Sequence, residues 1–411
     1  MRSPISFLGR FAAVTSIAIL APESFAEEAA GKSELQKAIE AIQPIFVARV
    51  RYEGVDQEGF SETADALTYR LRAGFETGAI SDTKFLIEFD HVEALIDDFN
   101  STINGNTGFP VVADPDVTEL NRIQLTNTSL PDTKLTFGRQ RIILDDSRFV
   151  GNVGWRQNEQ TFDGVRVQNT SLGNLALDVS YVQQINRIFG DDSPIGRWDG
   201  DNLIINANHP SPIGKVTGFA YLLDIENAGG IFSSQTIGAR LNGAQKLADG
   251  KLSYVASLAQ QNDYGDSPFD YSANYVLAEG TYSQNGISAG LGYELLGGDA
   301  QRGFQSPLAT LHKFQGWADK FLVTPTGGIE DLYVKAGYAP GAVGPFQGTK
   351  FVAVYHDYSA DQNGSDYGSE VNLLATTKWE SLGFTLKYAD YDSDGFATDT
   401  NKVWIQVDFG F

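Results

Sequence analysis

The sequence predicts an all-β fold, a transmembrane up-and-down antiparallel β-barrel of about 18 strands, and three observations predict it. An export leader opens the chain, a period-two alternation of apolar and polar residues begins near residue 43, and the last strand ends on an aromatic residue.

The leader comes first. Arg2 and Arg10 form a positive stretch, residues 11–20 are apolar, and Ser24 and Ala26 place small residues at a cleavage site before Glu27. The apolar run falls well short of the roughly 20 residues a helical span needs, so residues 1–26 are expected to be a cleaved signal peptide. Residues 27–42 are expected to be a short periplasmic lead-in, because residues 33–42 (SELQKAIEAI) read as a helix with Ser33 as N-cap. The barrel is expected over residues 43–411.

The clearest strand is the last one. Val403, Ile405, Val407, Phe409 and Phe411 share one face, with Gln406 and Asp408 on the other. Leu67, Tyr69, Leu71, Ala73 and Phe75 oppose Thr68, Arg70, Arg72, Gly74 and Glu76 in the same way. Ile287, Ala289, Leu291, Tyr293 and Leu295 oppose Ser288, Gly290, Gly292 and Glu294. Connections alternate in length. Short ones are read at 78–82, 129–132, 171–174, 284–286 and 380–382, and long ones at 92–115, 142–159, 185–199, 297–327 and 390–400. Short periplasmic turns facing long outer loops are what such a barrel requires. No fixed repeat points to a propeller or solenoid.

Composition agrees. The chain holds 26 Phe, 17 Tyr and 43 Gly, yet no stretch after the leader is apolar for long enough to be a helical span. With no cysteine, a closed hydrogen-bonded ladder is the expected source of stability. A net charge of −22 excludes a nucleic-acid partner, which needs a basic face. The paired acids Asp97-Asp98, Asp145-Asp146 and Asp191-Asp192 are expected on a solvated outer rim.

Against that acidic balance, Arg49, Arg51, Arg70, Arg72, Arg122 and Arg166 lie opposite the apolar faces of the first strands. They would form a basic stripe on one wall of a lumen, which favours anions, or pair with Glu53, Glu76, Glu88 and Asp178 to stiffen it. Later strands turn Glu279, Glu294, Asp331, Glu370 and Asp408 inward, with Lys335, Lys378 and Lys387.

Residues 138–151 (GRQRIILDDSRFVG), with Trp155-Arg156-Gln157 and Thr161-Phe162-Asp163, resemble the alginate-export porin family. So do residues 310–321 (TLHKFQGWADKF), followed by Gly328-Ile329-Glu330-Asp331-Leu332-Tyr333. The resemblance implies an 18-stranded outer-membrane barrel with a basic pore for a uronic-acid polymer. It adds Arg139, Arg141 and Arg156 to the pore-lining set. It also implies that loop 142–159 folds toward the pore, and that His312 to Phe321 pack in a long loop anchored by Phe314 and Trp317. The acids of the later strands depart from a fully basic lumen. The terminal Phe411 is similar to the signal read by barrel-assembly machinery.

Enzymatic chemistry finds little support. His91 and His356 have adjacent aspartates that would point to the opposite face of a strand, His209 beside Pro210 reads as a short turn, and no zinc-ligand spacing occurs. The expected role is a passive channel in the outer membrane of a diderm bacterium, in contact with lipid and lipopolysaccharide, for hydrophilic and carboxylated solutes, small or polymeric. No cofactor or metal is expected. The rival reading is a closed barrel whose loops bind a partner.

Overall fold

The structure is a computed structural model that describes residues 32–410; the expected signal peptide and Phe411 lie outside the described residues. The chain enters through α1 (Glu34–Glu40). Ser33 Oγ accepts from the Gln36 amide at 3.2 Å, while the Gln36 side chain accepts from the Ser33 amide at 2.9 Å, a capping box that satisfies two donors. Ala38, the buried residue of this helix, sits against Gly78, whose amide donates to the Ala38 carbonyl at 3.0 Å.

Every later element that shapes the barrel is a strand or a loop. The first six strands are β1 (Gln43–Gln57), β2 (Ala64–Glu76), β3 (Thr83–Asp98), β4 (Val117–Asn127), β5 (Thr133–Gln140) and β6 (Thr161–Leu172). The next six are β7 (Leu175–Asn186), β8 (Arg197–Ser211), β9 (Gly214–Leu223), β10 (Ser234–Leu247), β11 (Gly250–Asn262) and β12 (Ser272–Gln284). The last six are β13 (Ile287–Leu296), β14 (Ile329–Val343), β15 (Phe346–Ser359), β16 (Asp366–Trp379), β17 (Leu382–Ser393) and β18 (Thr400–Gly410). Each pairs antiparallel with its neighbours in sequence, and β1 also pairs with β18, from Val47 opposite Gly410 to Gln57 opposite Thr400. The barrel is closed with 18 strands, so no open edge remains among the described residues.

The two ends differ. Turns at 77–82, 128–132, 173–174, 212–213, 248–249 and 285–286 close one end, while loops 99–116, 141–160 and 297–328 rise from the other. Three expected loops are shorter than the sequence suggests. β3 runs on to Asp98 through a bulge opposite Leu67/Thr68, the β7–β8 loop spans only 187–196, and the β17–β18 loop only 394–399. His209 and Pro210 lie within β8 rather than in a turn. Pairing to β7 has ended by Asn208, so the missing proline N–H breaks no bond to that neighbour.

Burial is inverted relative to a soluble protein. Val50, Leu71, Phe137, Val165, Leu258, Leu291, Val334, Leu386 and Ile405 are exposed on the outer wall, whereas Arg51, Glu53, Arg70, Glu88, Asp90 and Glu370 are buried inside. Such an apolar band around a polar interior is stable only where hydrocarbon covers it.

Candidate functional site: the loop-filled lumen

Two loops from the long-loop end turn back into the barrel and meet inside it. Loop 141–160 is held from several walls. Arg148 is buried and its Nε donates to Glu294 of β13. Phe149 lies 5.1 Å from Phe219 of β9 and 5.0 Å from Tyr275 of β12, ring centre to ring centre. Arg156 donates to Glu53 of β1 at 3.0 Å, and Gln157 to Thr68 of β2 at 2.8 Å. Val153 has φ 51°, a left-handed conformation that costs a β-branched residue roughly 1–3 kcal/mol and is held by this surrounding packing.

Loop 297–328 supplies the facing half. The amides of Trp317 and Ala318 donate to Glu370 of β16, which requires the backbone to pass very close to that carboxylate. Only glycine permits it at 316, since φ there is 78° and a Cβ would sit 2.1 Å from Glu370 Oε2.

The loops join at His312. Its ring stacks on Trp155 at 4.8 Å, Nδ1 donates to Asp319 at 2.8 Å, and Nε2 accepts from Lys387 of β17. Lys387 lies over the rings of Trp155 and Trp317, at 4.2 and 3.9 Å. Asp319 also pairs with Arg156 at 3.3 Å and with Lys402 of β18 at 3.1 Å. Burial, then Lys387 and Arg156, depresses His312 to about 3, only partly offset by Asp319. Burial opposes ionisation of Asp319 as well, but its partners hold that carboxyl well below its ordinary value.

The arginines expected on the lumen wall are nearly all engaged. Arg49 pairs with Asp408 at 2.8 Å and Arg51 with Asp114 at 3.4 Å. Arg72 meets Asp90 at 2.6 Å and Glu159 at 3.1 Å. Arg122 meets Glu88 at 2.7 Å, Arg141 meets Glu159, and Arg166 meets Asp178 at 2.6 Å. Arg70 is the exception: it has a bond to the Gln157 carbonyl at 3.2 Å, while its buried Nε has no partner among the described residues. Burial alone would raise the Glu159 carboxyl, yet Arg72 and Arg141 overcome it and hold it at about 2. What forms is a ladder of alternating charge. Glu76, expected within it, bonds Lys84 instead.

Arg139 does not belong to the lumen. It stands opposite Ile123, which is exposed on the outer wall, and pairs with Asp163 at 2.8 Å; the inward residues of β5 are Thr136 and Gln140. Nor do Asp145 and Asp146 lie on an outer rim. Asp145 pairs with Lys215 of β9 at 2.8 Å and Asp146 with Arg240 of β10 at 2.6 Å, inside the barrel. Arg148, Glu159 and Asp319 organise the loops without being singled out by sequence reasoning. Their signal is faint: charges set among aromatic residues within two long loops.

Above this layer, toward the long-loop end, lies a cavity of about 620 Å³ with Val153, Arg156, His312, Asp319 and Lys402 among its lining residues. Below it, Arg49 donates to the carbonyls of Gly154, Trp155 and Arg156 at 3.1–3.3 Å. A single backbone segment therefore has Arg49 on one side and, through Arg156, the cavity on the other.

Comparison with known proteins agrees with this architecture. Residues 112–306 match the alginate export family. The match covers the inward loop 141–160 and the strands from β4 to β13, a little under half of the chain. No curated protein matches the chain significantly. Among solved structures, OpdK of Pseudomonas aeruginosa aligns with a TM-score of 0.69 at 17% identity, over 91% of this chain and 99% of its own. OpdG (OccK9) of the same organism aligns at 0.71 and 16%, over 91% and 100%. OccAB4 of Acinetobacter baumannii aligns at 0.69 and 15%, over 92% and 100%. At these identities the likeness is one of fold: the porin barrel, complete from end to end.

Proposed function

We propose that this alginate-export-like barrel is a passive outer-membrane channel for small, hydrophilic, carboxylated solutes. The observation that carries the reading is that segment 154–156 of the inward loop takes Arg49 on its carbonyls while its Arg156 lines the outer cavity. A solute crossing there meets Arg156 from one side and Arg49 from the other, guanidinium donors suited to bond a carboxylate in passing while Glu53, Asp319 and Asp408 offset their net charge. An extended polyuronate, by contrast, would have to displace residues anchored to β1, β2, β13, β16 and β17. Single-channel recording in a planar bilayer tests the reading. Stable conductance steps are expected, and their complete absence would favour a closed barrel whose loops bind a partner.

A further inference from the structure

We infer that the outer cavity is a binding site for a compact amphipathic anion, one acidic headgroup on an apolar body, and not for a sugar acid. The proposal deepens the channel reading and rests on it, as the station where such a solute is held before the constriction. The cavity's volume, about 620 Å³, lies within the roughly 300–1,000 Å³ of small-molecule sites. Its wall is mainly apolar: Phe60, Phe189, Trp198, Phe232, Leu322 and Val323 line it. A uronate would bury several hydroxyls against that wall without partners, at a cost that recurs for each group. Two cations on the same lining give the sign of the ligand. Neither Arg187 nor Lys320 has a carboxylate within ion-pair distance among the described residues, unlike the paired Arg156 and Lys402 beside them. Arg187 is fixed in place, with its guanidinium 3.7 Å over the Trp198 ring and one bond to the Ile195 carbonyl at 2.8 Å. It therefore presents remaining donors from a rigid aromatic platform, a geometry suited to a carboxylate. The only carboxylate on the lining among the described residues, Asp319, is consumed by His312, Arg156 and Lys402.

The experiment is calorimetric titration of the full barrel in lipid nanodiscs with hexanoate, hexanol and glucuronate, alongside bilayer recording of the same preparation. Hexanoate is expected to bind saturably, with hexanol and glucuronate each at least about tenfold weaker. Arg187→Gln and Lys320→Gln should each weaken hexanoate by about tenfold, and Leu322→Asn should weaken it without touching a charge. Equal binding of hexanol would overturn the headgroup assignment, equal binding of glucuronate the apolar one, and no hexanoate binding the site as a whole. Because binding is read without current, conductance without binding would sink this site and leave the channel standing. Binding without conductance would do the reverse.

Discussion

At the residue scale, His312 is the point where charge, stacking and loop closure meet, and its protonation has a definite sign. Its value falls from 6.5 to about 3, so below pH 6.5 the unfolded chain takes up a proton that the folded barrel refuses. The stability this residue supplies is whole above pH 6.5 and is lost as the pH falls through about 3. Carbon-13 spectra of labelled histidine should show the His312 ring neutral from about pH 8 to about pH 4; titration near the ordinary value would show that the loops do not bury it. Asp319→Asn tests the partner. It leaves Arg156 and Lys402 buried with one carboxylate fewer, and such losses typically cost about 3–5 kcal/mol. Loop 297–328 of the variant should become open to proteolysis while the strands stay protected, whereas unchanged protection would mean that Asp319 does not hold the junction.

At the element scale, loop 141–160 behaves as an inserted strap fastened at both ends. Arg148 fastens one end to β13, and removing it strands Glu294 in a buried site with only Tyr275 and Gln315 as partners among the described residues. Arg148→Ala should therefore release the strap and raise single-channel conductance, and a variant with wild-type conductance would place the constriction elsewhere. Trp155→Ala acts at the other end, removing the platform shared by Arg51, His312 and Lys387. It should widen the pore more than Arg148→Ala does, because it lies within segment 154–156 itself. How legible these elements are in the sequence follows from what sets them. Alternation of period two fixes which face a strand residue takes, so the pattern alone assigns Arg49, Arg51, Arg70, Arg72, Arg122 and Arg166 to the lumen. The same rule turns Arg139 outward, since Thr136 and Gln140 face in. Grouping it with Arg141 misleads, because Arg141 lies beyond the end of β5 and takes its direction from the loop. Loop residues have no period. Where Arg148, Asp145 or Asp319 points depends on walls far away in sequence, and nothing local announces it.

At the scale of the whole molecule, the net charge of −22 and the arginine-rich wall pull toward opposite selectivities, and the ladder resolves the conflict. Nearly every lumen arginine is set against a carboxylate at close range, so the field along the wall is transverse and its axial sum is small. The intact channel should then show only weak ion preference. Upsetting the balance by one charge should bias it either way. Glu159→Gln unpairs Arg72 and Arg141 in part and should move the reversal potential toward anion preference. Arg72→Gln leaves Glu88, Asp90 and Glu159 in excess and should move it toward cations. Both shifts should shrink as salt rises from about 0.1 M to about 1 M, where the screening length contracts from about 10 Å to about 3 Å. Shifts of the same sign in the two variants would mean that they act by deforming loop 141–160 rather than by charge. Opposite signs with the stated salt dependence would show that both variants act through charge, and a reversal potential near zero for the intact channel would show that the lumen charges are balanced.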